Sequence, residues 1–160
     1  MDFTFTKLTN KKLVKILAIE DVFSRKSLVI YHNFSIIADR VIEVLSEAIR
    51  IYGRAIVIRS DNGPEFISEL LESFCIRERI IQEFIPSGKP YYNGGIERFI
   101  GSLKVECLNC CSFDTIEELG EAIERYQVFY NAERPHQSLG YLTPDEVYYA
   151  NKREGKLKIK

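Results

Sequence analysis

The sequence has little that would advertise a partner. Its 22 lysines and arginines are offset by 23 aspartates and glutamates, giving a net charge of -1, so it lacks the basic surplus of a simple duplex-binding clamp. A metal enzyme acting on DNA is still compatible with this balance, because bound cations reverse the sign of clustered carboxylates. The chain also lacks any run near the roughly 18 apolar residues of a membrane span, and no charged start leads into an apolar leader. A soluble, cytoplasmic protein is the expectation. Of the four cysteines, Cys75 stands alone, while Cys107, Cys110 and Cys111 have neither a second CxxC nor a nearby histidine to complete a zinc site. Reduced thiols are expected. There is no internal repeat and no low-complexity segment.

What the chain does have is enough apolar content, 46% of 160 residues, to bury one core. A single domain is expected over residues 1–150, followed by a basic tail at 151–160. "MDFTFTKL" alternates polar and apolar residues as a half-buried strand does, placing Asp2, Thr4 and Thr6 on one face. "LVKILAIEDVF" and "KSLVIYH" read as the next two strands of an antiparallel meander, "AIVIRS" as a short buried fourth and "RIIQEFI" as a fifth. Between the third and fourth strands, Ser35 can cap a helix carrying Ile37, Val41, Val44, Leu45, Ala48 and Ile49 up to Gly53. After Pro64, Phe66, Leu70, Leu71 and Phe74 recur at helical spacing. A helix over 96–109 buries Ile96, Phe99, Ile100, Leu103 and Cys107; another, capped by Asp114 or Thr115, buries Ile116, Leu119, Ile123, Tyr126 and Tyr130. A short last helix follows Thr143 and Pro144. The order predicts an α/β fold with a five-stranded mixed sheet flanked by helices.

Three carboxylates stand where such a scaffold could gather them: Asp2 on the first strand, Asp61 in "RSDNGPEFIS" at the end of the fourth, and Glu97 near the start of the helix after "PSGKPYYNGG". Asp61 has an ordinary explanation too, since Asp, Asn, Gly and Pro in succession make a turn for backbone reasons. Oxygen-only donors suit Mg²⁺, which keeps several waters and needs few protein ligands. At roughly 100° per residue, Glu97, Gly101 and Lys104 share one helical stripe, whereas Glu106 points to the opposite side. The stripe fits a carboxylate on metal with a lysine reaching a phosphate; it equally fits a solvated face.

"RSDNGPEFIS", "PSGKPYYNGGIERFIGSLKVEC" and "YNAERPHQSLGYLTPDEV", in that order and after "MDFTFTK" and "LAIEDVFSRKSLVIY", closely resemble the catalytic core of insertion-sequence transposases of the "IS three" family, whose core is like a retroviral integrase. The resemblance runs from Met1 to about Tyr149. It implies a ribonuclease-H-like fold and a DDE triad, falling on Asp2, Asp61 and Glu97, that binds two Mg²⁺ or Mn²⁺ ions. The implied activity is DNA strand cleavage and strand transfer, with water and then a DNA 3′-hydroxyl as nucleophile, by a protein acting at the nucleoid. Element ends and target DNA are the implied partners, with a homodimer or higher assembly in synapsis. Family transposases carry an end-reading helix-turn-helix region ahead of this core, so a truncated enzyme is expected.

Asp21 rivals Asp2 for the first position, because a hairpin about Asn10 and Lys11 would bring it to the same end of the sheet. Its ordinary role would be to accept backbone N–H bonds or to pair with Arg25. Lys89, Arg98 and Lys104 are candidate phosphate contacts, and Tyr91, Tyr92 and Asn93 could stack on or contact exposed bases. His136 in "RPHQSL" is expected to be structural or an inter-protomer contact. Lys152, Arg153, Lys156, Lys158 and Lys160 could add salt-sensitive affinity for DNA. Two other readings remain: a catalytically silent DNA-binding or assembly module of the same fold, and a general ribonuclease-H-like nuclease.

Overall fold

The computed structural model describes residues 1–85 and 94–153. Three strands, β1 (Asp2–Lys7), β2 (Leu13–Glu20) and β3 (Ser27–Asn33), form an antiparallel meander in the order β1-β2-β3. Helix α1 (Ala38–Tyr52) leads to β4 (Val57–Ser60), α2 (Glu69–Glu78) and β5 (Ile81–Phe84). Strands β4 and β5 pair in parallel, Val57 with Ile81 through Ser60 with Phe84, with α2 as the crossover between them. Then come α3 (Gly94–Leu103), a π-helical segment Lys104–Leu108, α4 (Ile116–Ala132), a short turn of 3₁₀ helix and α5 (Pro144–Arg153).

Strand β2 is the spine, because it is buried on both faces. Val14, Ile16 and Ala18 pack with Ile96, Phe99 and Leu103 of α3 and with Leu119 and Ile123 of α4. On the opposite face Leu17 packs with Val41 and Leu45 of α1 and with Leu71 and Phe74 of α2. The period-2 alternation of a strand thus divides one sequence between two cores, each fully buried aliphatic side chain contributing about 1.5–3 kcal/mol.

The expected single mixed sheet is corrected: the strands form two sheets, three-stranded and two-stranded. Strand β1 starts at Asp2 and meets β4 at its own beginning, where the Met1 amine donates to the Arg59 carbonyl at 2.7 Å. The Phe3 and Phe66 rings also stack near this seam, 4.8 Å apart.

Two helix starts and one helix end also differ from expectation. Ser35 does not cap α1; Ile37 holds the N-cap position in extended conformation and caps without its side chain. Pro64 does not open α2. Gly63 instead begins a turn in which its carbonyl accepts from Phe66 and Ile67, and Ser68 caps the helix by accepting from the Leu71 amide at 3.3 Å. Consequently Ile37 and Leu70, expected inside, are exposed. The expected helix over 96–109 is α-helical to Leu103 and then widens, the Asn109 amide reaching the Lys104 carbonyl. Thr115 does cap α4, accepting from Glu118 at 3.2 Å, while the Glu118 carboxylate accepts from the Asp114 amide. Thr143 and Glu146 make the reciprocal bonds of a capping box at α5. No helix among the described residues is long and apolar enough to cross a membrane.

Candidate functional site

Three separate supports carry the three expected carboxylates. Asp2 opens β1, opposite Ala18 of β2, one residue from the pairing that a tight hairpin would give. It is half-buried, and its Oδ1 accepts the Phe3 amide at 2.7 Å. Asp61 directly follows β4 and is exposed. Its Oδ1 accepts the Gly63 amide at 3.0 Å, so the turn chemistry of "DNG" does shape this residue. Glu97 is exposed in the first turn of α3.

Electrostatics brings the three into one neighbourhood. Burial pushes the Asp2 carboxyl above its ordinary range; the Phe3 amide opposes this, and the negative charges of Asp61 and Glu97 add to it. Two carboxylates remote in sequence are thus close enough to be felt at Asp2. The arrangement is open: among the described residues no three acidic, histidine or cysteine side chains are closed around a single ion position.

Asp21 is placed elsewhere. Its Oδ2 accepts from the Ser24 amide at 2.8 Å and the Ser24 hydroxyl at 2.5 Å, and its amide donates to the Lys26 carbonyl. It builds the turn between β2 and β3, the ordinary role foreseen for it. Glu97 and Gly101 of α3 and Lys104, the first residue of the π-helical segment, are all exposed, and a Cβ on Gly101 would meet open space. Arg98 is exposed beside them. The candidate DNA contacts Lys89, Tyr91, Tyr92 and Asn93 lie outside the described residues, as do Lys156, Lys158 and Lys160 of the tail. His136 is buried, with its ring edge-on to Tyr130 at 4.8 Å.

Sequence reasoning passed over Glu20 and gave Arg25 a partner only. The Glu20 carboxyl is pushed up to about 7 by burial, against the opposing charge of Arg25. A Cβ on Gly95 would collide with the Arg25 guanidinium and lie 3.2 Å from Glu20 Oε2. Glycine at the start of α3 therefore admits this pair beside Glu97. No periodicity signals it, since it depends on the turn after β2 meeting a distant helix.

Comparison with known proteins fits this architecture. Two family profiles, each described as integrase core domain, match residues 1–90 and 78–144. An insertion element IS407 protein of Burkholderia multivorans is 34% identical over 146 residues, covering 91% of this chain and 53% of its own. The transposase for insertion sequence element IS904 of Lactococcus lactis is 28% identical over 92 residues, 57% of this chain and 36% of its own. The chain thus spans about half the length, or less, of these relatives. Among solved structures, a chain of the simian T-cell lymphotropic virus intasome in complex with PP2A regulatory subunit B56 gamma superposes with a TM-score of 0.75 at 21% identity, over 92% of this chain and 54% of that one. The HTLV-2 integrase catalytic core in complex with magnesium superposes at 0.68 and 20% identity, over 92% and 94%. These likenesses show the fold, that of a retroviral integrase core. The chain belongs to the integrase core domain family of transposases and integrases.

Proposed function

We propose that this chain is the catalytic core of a transposase, which cuts and rejoins DNA strands with Asp2, Asp61 and Glu97 as ligands for Mg²⁺ or Mn²⁺. The observation that carries the reading is the placement of Asp2 at the start of β1, Asp61 directly after β4 and Glu97 in the first turn of α3, with the charges of Asp61 and Glu97 both felt at Asp2. The donor set is oxygen only and open to solvent, which fits an ion that retains waters and leaves room for phosphate oxygens. Two such ions would stabilise the attacking and leaving oxygens of an in-line displacement. The chain's own part is positioning: β1 fixes Asp2 through the Phe3 amide, the Gly63 amide fixes Asp61, and α3 presents Glu97 next to Arg98. DNA is the proposed substrate, in keeping with relatives named as transposases. Self-association is proposed from the dimeric and trimeric forms named for the HTLV-2 integrase core.

The test is disintegration, the reversal of strand transfer, on a branched oligonucleotide with Mn²⁺. The unsubstituted chain should cut and rejoin it, and Glu97→Gln should be folded and inactive. A folded Glu97→Gln protein that retained activity would sink the assignment. The open, exposed placement of Asp61 and Glu97 favours a second reading, a silent DNA-binding or assembly module. It requires binding or self-association without cleavage in any divalent ion.

A further inference from the structure

A polar cleft of about 220 Å³ borders α3 on the side turned from the Lys104 stripe, with Arg25, Arg98, Ser102, Arg134, His136 and Ser138 in its walls. Arg98 and Ser102 are one helical turn apart on one face of α3, and Arg98 follows Glu97 in sequence, about 100° around the helix from it.

Its construction is costly in two places. Arg25 has φ of 61°, a left-handed conformation that a non-glycine residue adopts at roughly 1–2 kcal/mol. The turn that imposes it is closed by Asp21 and Ser24, and a glycine would suit it better. The sequence instead places an arginine there, and Gly95 leaves room for its guanidinium. His136 is 9% exposed, and its Nε2 has no hydrogen-bond partner among the described residues. The ring is held by Tyr130, both edge-on and through the Tyr130 backbone. A buried polar atom without a partner is a standing cost of about 1–3 kcal/mol.

Charge decides the ligand class. Arg134 is held by a bidentate pair with Glu106, with Nη2 2.7 Å and Nε 3.0 Å from its oxygens. Its charge is matched. Arg25 and Arg98 then share the cleft with a single carboxylate, Glu20, so two positive charges meet at most one negative one. The balance is positive, in a cleft with hydroxyls and an unpartnered imidazole nitrogen.

We propose that this cleft binds a phosphate of the DNA backbone next to the reacting one, with Arg25 and Arg98 as its charge partners and His136 Nε2 as a protonated donor. The proposal rests on the DNA reading above and assigns this side of α3 to holding the strand in register. Burial and the Arg134 charge hold the His136 imidazole below its ordinary range, with the Tyr130 backbone bond and Glu106 opposing and Arg25 adding to the effect. Binding should therefore take up a proton. Affinity should tighten as pH falls from 8 to 6, with Glu20 protonation acting in the same direction, so Glu20→Gln isolates the histidine contribution.

The chain has two histidines, so the imidazole nitrogens can be followed by NMR in the absence of divalent ions. Titration with the branched oligonucleotide should move the His136 Nε2 signal toward imidazolium and leave His32 in place. Arg25→Gly keeps the turn, since glycine accepts its φ. It should abolish that movement, weaken binding about 10-fold at 0.1 M salt and reduce the log–log salt slope by about 1. Arg77→Ala, on α2, should do neither. Oligonucleotide binding with His136 unmoved, or an unchanged slope in Arg25→Gly, overturns the site while leaving the strand-transfer reading intact. Movement with inorganic phosphate but not with oligonucleotide overturns DNA as the ligand, and movement with neither overturns the cleft altogether. Inactivity in the disintegration assay bears on the carboxylates alone.

Discussion

Asp61 and Gly63 are locked together: Asp61 Oδ1 accepts the Gly63 amide at 3.0 Å, and a Cβ on Gly63 would lie 3.1 Å from that same oxygen. Gly63→Ala should therefore turn the carboxylate without disturbing the core. Because a misplacement of about 1 Å can cost 100-fold, Mn²⁺-dependent disintegration should fall by about 10-fold or more. Thermal unfolding should shift by no more than a few degrees. Undiminished activity would show that Asp61 is not held for chemistry.

Glu20 should make stability fall as pH rises. Burial lifts its folded-state pKa from 4.5 to about 7, so the folded state prefers the protonated carboxyl. The stabilisation is complete below pH 4.5 and is lost as pH rises through 7. At about 1.4 kcal/mol per unit, the span is on the order of 3 kcal/mol. Glu20→Gln should match the parent at pH 4 and exceed it at pH 8. Parallel melting-temperature profiles for the two proteins would refute this.

Asn131 joins α4 to the start of β3. Its Oδ1 accepts the Ser27 amide at 2.8 Å and its Nδ2 donates to the Ser27 carbonyl at 2.9 Å, both groups being buried. Asn131→Ala leaves the Ser27 amide without a partner, while the Ser27 carbonyl keeps the Gln127 Nε2 donor at 3.1 Å. A loss of about 1–3 kcal/mol follows from the cost of one buried unpaired group. Urea unfolding is the measurement, and an unchanged midpoint would count against it.

The thiols should divide by burial. Cys107 is pushed up to about 11, by burial and then by its neighbours Cys110 and Cys111, and burial also raises Cys75. Cys110 and Cys111 are exposed. A disulfide reagent at pH 8 should modify Cys110 and Cys111 within minutes and reach the other two only in denaturant. Rapid labelling of Cys107 would mean that the π-helical segment opens readily.

The legible parts of the sequence were those governed by repeating burial. Alternation in "MDFTFTKL" and "LVKILAIE" predicted β1 and β2, and Ile96, Phe99, Ile100 and Leu103 predicted the buried side of α3. The hairpin register shifted by one because Lys11 takes a left-handed φ of 65° and Asn10 accepts the Lys12 amide, a turn wider than two residues. The widening at Lys104 was hidden because Cys107 keeps the helical phase, while Leu108 is buried as well. Periodicity reports which face a residue occupies and says nothing of where one sheet ends, so the break between β1 and β4 could not be read. The order and setting of Asp2, Asp61 and Glu97 were visible. Arg25 meeting Gly95, and His136 left unpartnered, exist only once distant elements meet.

The seam between the two sheets makes the proposed site a three-legged instrument. Asp2 stands on the meander, Asp61 on the two-stranded sheet, and Glu97 on a helix belonging to the opposite core. No one leg holds the other two in place. A small opening at Met1 and Arg59, too slight to register as unfolding, would spread the carboxylates apart. On warming, alignment should therefore fail before the fold does, and hydrogen exchange at the Met1 to Phe3 edge should forecast the temperature at which function stops.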